Sequence, residues 1–88
     1  MTIDLTGIDT KAAFHLLLKR KLGFPEWYGA NWDAFWDAIC GLVEMPDCLV
    51  LRNWQAFAQA CPNDMQMLRE TIAGYNQEMP GKQILLVS

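Results

Sequence analysis

The run Cys48-Leu49-Val50-Leu51 is short, apolar and rich in residues that favour β-structure, so it indicates a buried strand in the middle of the chain. A second run of the same kind, Ile84–Val87, lies close to the last of the 88 residues. Over positions 2–6, Ile3 and Leu5 alternate with polar neighbours, which predicts a third, shorter strand. Three strands are therefore expected, with room for helices between them.

The first gap between strands contains two helical patterns. One can be capped by Asp9 or Thr10, repeats its apolar residues at helical spacing and ends at Gly23. The other begins at Asn31, a favourable N-cap residue, with Asp33 in its first turn, where the helix dipole favours an anion. Two helices are therefore predicted before the central strand.

The second gap also contains two helical patterns. A short helix is expected over Trp54–Ala60, and Asn63 with Gln66 makes a capping-box-like start to a longer helix. Helical crossovers of this length join parallel strands through right-handed connections. The prediction is an α/β fold for a single domain over residues 1–88, in which a three-stranded parallel sheet packs against about four helices.

Charge is distributed unevenly along the chain. The stretch Leu22–Leu51 has no Lys or Arg and five acids, which sum to −5, while the rest has seven bases and five acids, which sum to +2 and restore the net charge of −3. We expect no nucleic-acid partner for such a chain, because phosphate contacts require a surface of Lys and Arg. The acidic stretch instead favours a cationic partner.

The cellular compartment follows from the cysteines and from the start of the chain. The sequence opens without the basic and apolar regions of a signal peptide, and no apolar run is long enough to span a membrane. The three cysteines, Cys40, Cys48 and Cys61, have neither CxxC nor metal-ligand spacing. We therefore expect buried, reduced thiols in a cytoplasmic protein that has no membrane contact, cofactor or metal.

The single histidine lies in a basic pattern on the first predicted helix. Lys11, His15 and Lys19 follow one another at intervals of four residues, which predicts a solvated helix face. No nucleophile or set of metal ligands accompanies His15, so we expect a structural role for it.

Aromatic residues are concentrated between positions 24 and 37, which hold six of the ten in the chain. One face of one helix cannot bury so many in a small domain, and exposed aromatics beside polar side chains are typical of binding hot spots. The alternative is that all of them belong to the core. For Trp32, Phe35 and Ile39 the helical spacing favours the core.

Acidic residues of the same region form a predicted stripe. On an α-helix, Asp33, Asp37 and Glu44 would lie within about 40° of one another. The stripe could be an ordinary solvated face, a carboxylate pair for acid–base catalysis, or a surface that docks into a basic cleft and imitates phosphates. Catalysis would need a nucleophile, histidine or metal ligand nearby, and none is present, so we predict that the protein is not an enzyme. The flanking aromatics favour docking.

The run Leu22–Ala38, which contains Pro25-Glu26-Trp27-Tyr28-Gly29-Ala30-Asn31-Trp32-Asp33-Ala34-Phe35-Trp36-Asp37, resembles the signature of the barstar family. The wider match runs from the first helix to Ser88, so the resemblance covers nearly the whole chain. The resemblance implies a small α/β protein with a three-stranded parallel sheet. It also implies an intracellular inhibitor of barnase-type secreted ribonucleases.

The resemblance assigns roles to individual residues. Asp37 matches the central aspartate that enters the phosphate-binding site of the nuclease, and Asp33 matches an aspartate that contacts its basic rim. Trp27 stands where the family has a Tyr over the catalytic His of the enzyme, and Asn31 matches a capping and contacting Asn. Trp36 and Gly41 match interface positions. Glu70 matches a glutamate of the last long helix. With the stripe residue Glu44 and the variable position Leu42, the predicted partner-binding residues are Trp27, Asn31, Asp33, Trp36, Asp37, Gly41, Leu42, Glu44 and Glu70.

Two positions depart from the family pattern. Leu42 replaces a Trp, and Gly74 replaces an acid one turn beyond Glu70. Because both positions are peripheral to the central aspartates, they could determine which related nuclease is bound. Glycine inside a helix also costs about 1 kcal/mol relative to alanine, so Gly74 indicates close packing or a bend.

The functional prediction is an inhibitor that is monomeric when free and binds a basic ribonuclease of the barnase type in a 1:1 complex. One alternative keeps the fold but changes the target to a different cationic toxin or protein, for which the chain would be an immunity or binding module. The third hypothesis is a hydrolase that uses Asp33 and Asp37.

Overall fold

The computed structural model describes residues 1–88 and contains three strands and four α-helices. The strands are β1 (Thr2–Asp4), β2 (Cys48–Arg52) and β3 (Gln83–Val87), and the helices are α1 (Lys11–Leu22), α2 (Trp32–Asp37), α3 (Gln55–Ala60) and α4 (Pro62–Glu78). Helix α2 continues directly into a π-helical turn over Ala38–Leu42. The predicted order of strands and helices is confirmed.

The three strands form one parallel sheet in the order β1-β2-β3. Leu51 of the central strand is paired with Ile3 on one side and with Leu86 on the other. Each connection between neighbouring strands passes through two helices, which is why the strands can run in the same direction. The predicted α/β fold with a three-stranded parallel sheet is therefore confirmed.

The helices cover one face of the sheet. Alternate strand residues on this face, Ile3, Leu49, Leu51 and Ile84, are fully buried. On the opposite face, Val50 is only half-buried and Leu85 is exposed. The prediction of completely buried strands was therefore wrong for this second face, because an apolar run does not show whether helices cover one face or two.

Three predicted helix ends are present. The Thr10 hydroxyl accepts a hydrogen bond from the Ala13 N–H at 3.1 Å, and Gly23 ends α1 in the left-handed region with φ 73°. The Asn31 side chain accepts a hydrogen bond from the Ala34 N–H at 2.7 Å. These caps fix both ends of α1 and the start of α2.

The predicted start of α4 was wrong. Asn63 does not cap this helix, which begins one residue earlier at Pro62 and has Cys61 at its N-cap without a side-chain hydrogen bond. Proline is favoured in the first turn because its fixed φ suits a helix and its missing N–H would lack a helical partner there in any case.

The prediction of a solvated helix face was wrong for His15, which is only 1% exposed. Its Nδ1 is hydrogen-bonded to the Tyr28 hydroxyl, and its ring centroid lies 4.8 Å from that of Trp32. Its Nε2 has no partner. Burial, with a smaller contribution from the nearby Lys11, lowers the pKa of His15 to about 4. The imidazole is therefore neutral inside the core at neutral pH.

All three cysteines are free and half-buried. None of the three is fully buried, so the prediction of buried thiols was wrong. Their reduced state stays a prediction. Burial raises the pKa of the Cys40 thiol, and the carboxylates of Glu78 and Asp37 act in the same direction. None of the helices has the length and apolar character needed to cross a membrane.

Candidate protein-binding site

Helix α2 is anchored in the core by one of its faces. Trp32 and Phe35 are buried, as predicted, and the Trp32 indole N–H donates a hydrogen bond to the Asp64 carboxylate of α4 at 3.0 Å. This bond fixes the rotation of α2 about its own axis. Asp33 and Asp37 lie on the other side of the helix and are exposed.

The loop before α2 holds one tryptophan in the solvent. Phe24 and Tyr28 are buried against each other, with ring centroids 4.7 Å apart. Between these two anchors, Trp27 is 73% exposed. The loop ends at Ala30, whose φ of 50° is uncommon for a residue other than glycine. The buried aromatics thus turn Trp27 outward, and a large apolar side chain exposed in this way is typical of a binding surface.

A groove of about 340 Å³ separates this loop from the end of α2 and the π-helical turn. One wall is formed by Trp27, Tyr28 and Gly29, and the other by Asp37, Gly41 and Leu42. Leu42 is 45% exposed. Four of the predicted partner-binding residues, Trp27, Asp37, Gly41 and Leu42, therefore meet at one groove.

Other predicted residues lie around the groove rather than in it. Asn31 caps α2, and Asp33 is exposed in its first turn. Trp36 is half-buried and packs over Gly74 of α4, where an added Cβ would lie 3.4 Å from the indole ring. Glu70 is exposed one turn before Gly74, on the same side of α4. The predicted close packing at Gly74 is confirmed.

The predicted helical stripe was wrong for Glu44. The Val43 N–H donates to the Ala38 carbonyl at 3.2 Å, a π-type bond over five residues, and Val43 itself is extended. Glu44 therefore lies beyond the end of the helix, where the angular spacing of an α-helix no longer applies. It lines a separate hollow of about 170 Å³ together with Tyr75 and Lys82.

One acidic residue near the site was missed by the sequence analysis. Glu78 is the last residue of α4 and is exposed. Burial is the main cause that raises the pKa of the Cys40 thiol, and the carboxylates of Glu78 and Asp37 raise it further. Acids from two helices thus lie near the same side chain of the π-helical turn. Glu78 follows Gly74 by four residues, but only the packing of Trp36 on Gly74 shows that this side of α4 borders the site.

The acids of the site have no cationic partner within the chain. The two ion pairs of the structure join Lys19 to Glu26 at 3.9 Å and Lys82 to Asp47 at 3.2 Å. The exposed surface therefore has a negative field, which arises from four acids: Asp33, Asp37, Glu70 and Glu78. No group of three His, Cys, Asp or Glu side chains is placed to hold a metal ion.

We expect Gly74→Ala to stabilise the fold by about 0.5–1 kcal/mol, because alanine is the better helix former and its methyl group would make an ordinary contact with Trp36 at 3.4 Å. The measurement is a denaturant titration, in which the midpoint should rise while the slope is unchanged. Gly81→Ala is the control. Gly81 has φ 80°, where alanine is strained, so that variant should be less stable. A destabilised Gly74→Ala variant would show that Trp36 cannot adjust to the methyl group.

The chain thus combines a three-stranded parallel α/β fold with an exposed acidic and aromatic surface beside α2. The family model described as "Barstar (barnase inhibitor)" matches residues 1–87, and the chain belongs to the barstar family. Members of this family are inhibitors rather than enzymes, which confirms the prediction of a protein without catalytic activity and removes support from the hydrolase hypothesis.

A relative is found in Bacillus subtilis (strain 168), where it is named "Putative ribonuclease inhibitor YrdF". The two proteins are 43% identical over 53 residues, a match that spans 60% of this chain and 58% of the relative. The family and this relative together support ribonuclease inhibition in general.

Proposed function

We propose that this protein inhibits a basic ribonuclease of the barnase type by blocking its active site with the loop, α2 and the π-helical turn. The observation that carries the proposal is the groove in which Trp27, 73% exposed, lies opposite the exposed carboxylate of Asp37. Both residues belong to a stretch of the sequence without a single Lys or Arg. Such a surface complements the basic cleft in which a ribonuclease binds the phosphates of RNA.

In the proposed complex, each part of the site has its own task. The carboxylates of Asp37 and Asp33 occupy positions of RNA phosphates, while Trp27 covers a flat group of the enzyme. Around this centre, the proposed contacts are Asn31, Trp36, Gly41, Leu42, Glu70 and Glu78. Glu44 contributes only to the negative field, because it lies outside the helix.

The proposed inhibition requires no chemistry by the inhibitor. Its carboxylates are fixed on a helix that is hydrogen-bonded to α4 and anchored in the core, so little ordering is needed on binding. The proposed complex has one copy of each protein and forms in the cytoplasm of the producing cell, where it protects cellular RNA.

The experiment is a titration of the protein into a barnase-type ribonuclease while RNA cleavage is followed. We expect stoichiometric inhibition, and we expect the association rate to fall by at least about tenfold from low ionic strength to about 0.15 M salt, where the Debye length is about 8 Å. Full cleavage activity at a molar excess of the protein would refute inhibition of this enzyme. Inhibition with a rate independent of salt would refute electrostatic docking through the acidic surface.

A second candidate function is an immunity module for a different cationic toxin or protein. The observation that favours it is that Leu42 and Gly74, two departures from the family pattern, lie at the groove and beneath Trp36. The test is capture of partners on the immobilised protein, with an Asp37→Ala variant as the control. A partner that is retained only by the unmodified protein and lacks ribonuclease activity would establish this alternative.

A further inference from the structure

We infer that Asp64 of α4 is a positioning residue of the proposed binding site, because its carboxylate holds the Trp32 indole and thereby sets the rotation of α2. This rotation determines where the carboxylates of Asp33 and Asp37 lie. The inference rests on the proposed function, in which these two aspartates meet the partner. It goes further in giving a role in binding to a residue of another helix that is not among the proposed contacts.

The positions of the two aspartates are sensitive to the rotation of α2. Both belong to this helix, and at about 100° per residue Asp33 and Asp37 lie about 100° and 140° around its axis from Trp32. Their carboxylates are about 5–6 Å from the axis, so a rotation of about 20° would move both by about 2 Å. Hydrogen bonds to a partner have donor–acceptor distances of about 2.7–3.2 Å, so a displacement of this size would break them.

Apolar packing alone does not fix this rotation. Helix α2 has only six residues, and an isolated helix shorter than about 12–15 residues is marginal in water. Phe35 is buried in the core, and Trp36 packs over Gly74 of α4. Both contacts are apolar, and hydrophobic burial has no preferred direction. A directional contact is therefore needed to hold α2 at one rotation.

The hydrogen bond between Trp32 and Asp64 supplies that direction. The indole has a single donor, and its nitrogen lies 3.0 Å from the Asp64 carboxylate. Asp64 is half-buried in the first turn of α4 and takes part in neither of the two ion pairs of the structure. Hydrogen bonds to an ionised acceptor are roughly twice as strong as those between neutral groups. This bond therefore fixes the Trp32 ring and, with it, the first turn of α2.

The direct test compares the inhibition constants of Asp64→Ala and Asp64→Asn against the same ribonuclease. Alanine removes the acceptor, whereas the amide oxygen of asparagine can still accept from the indole although the charge is lost. We expect inhibition to weaken about fivefold or more with alanine and to recover most of that loss with asparagine. Asp9→Ala is the control, because it removes the same charge beside the same end of α4 and leaves the Trp32 contact in place. Equal weakening by alanine and asparagine, or no weakening by either, would overturn the inference.

A double-mutant cycle tests whether Asp64 acts through Trp32. Trp32→Phe removes the indole N–H and keeps an aromatic ring, so it breaks the same hydrogen bond from the other side. Because both single variants remove this bond, the loss of inhibition in the double variant should be smaller than the product of the two single losses by about threefold or more. Single losses that simply multiply would show that Asp64 acts by another route and would refute its role in positioning α2.

Hydrogen exchange in the free protein separates this inference from the proposed function and from a general loss of stability. The backbone amides of Phe35 and Ala38 donate hydrogen bonds within α2, and that of Val50 belongs to the central strand. In Asp64→Ala, exchange at Phe35 and Ala38 should rise about tenfold or more relative to Val50.

An equal rise at all three amides would make Asp64 merely structural, and the inference would fail. If α2 alone is loosened but the unmodified protein inhibits no ribonuclease, the positioning of α2 by Asp64 stands and the proposed function fails. If the unmodified protein inhibits and exchange in α2 is unchanged in Asp64→Ala, the proposed function stands and the inference fails.

Discussion

Asp37→Ala is expected to weaken the complex with the ribonuclease by at least about thirtyfold, which corresponds to about 2 kcal/mol. The carboxylate lies in the groove and has no partner in the chain, so in the proposed complex it becomes buried against cations of the enzyme. Removing it would leave those cations desolvated and unpaired. The free energy of unfolding should change by no more than about 0.5 kcal/mol, because Asp37 is exposed in the free protein.

The measurement is the inhibition constant of each variant, with the free energy of unfolding determined on the same samples. Asp9→Ala is the matched control, since it removes the same charge from an exposed position near the start of α4. Asp37 belongs to the part of the site that borders the other half of that helix, where Trp36 packs on Gly74, about 18 Å along the axis from Pro62 at 1.5 Å per residue. Equal losses of affinity for the two variants would indicate a general effect of net charge. If the Asp37→Ala variant unfolds, the Asp37 carboxylate has a structural role and the binding role is refuted.

The second large effect is a loss of stability between pH 7 and pH 4 that arises from His15. In the unfolded chain its pKa is about 6.5, and in the folded protein burial lowers it to about 4. Between these values the unfolded state binds a proton that the folded state does not, so the free energy of unfolding falls as the pH falls. The contribution is fully present above about pH 6.5, and about 2–3 kcal/mol is lost by about pH 4.

Denaturant titrations at intervals of pH measure the slope of the free energy of unfolding against pH. His15 is the only histidine of the chain, so no other imidazole contributes. Asp4 is exposed, and its hydrogen bond with the Thr6 hydroxyl lowers its pKa to about 2. It therefore affects the pH dependence of stability only below about pH 3.8. A His15→Asn variant should lose most of the slope between pH 6.5 and 4, whatever its absolute stability. An unchanged slope in that variant would assign the pH dependence to carboxylates.

Much of the fold could be predicted because its signals are local. The runs Cys48–Leu51 and Ile84–Val87 identify two strands, and the Asn31 cap is set by a side chain that bonds three residues ahead. His15 was misplaced for the opposite reason. The lysines four residues to either side indicate a solvated face, and only the Tyr28 hydroxyl, contributed by a loop thirteen residues away, makes a buried position acceptable.

The candidate site could be predicted from the sequence to a similar extent. The aromatic and acidic run identified Trp27 and Asp37, but not that they face each other across a groove. Glu44 was misassigned because nothing in the local sequence revealed a π-helical turn. Glu78 was missed because its closeness to Cys40 depends on how α4 packs against the π-helical turn, which is a tertiary relation.

The π-helical turn over Ala38–Leu42 also limits how positions can be compared between relatives. A π-turn holds one residue more than an α-turn, so the residues of this last turn, Gly41 and Leu42 among them, are rotated away from the places they would have in a regular α-helix. Deleting one residue from this turn would restore a regular α-helix and carry a different side chain to the wall of the groove. A change of length by a single residue could therefore alter partner choice as strongly as any substitution, with both aspartates of α2 left in place.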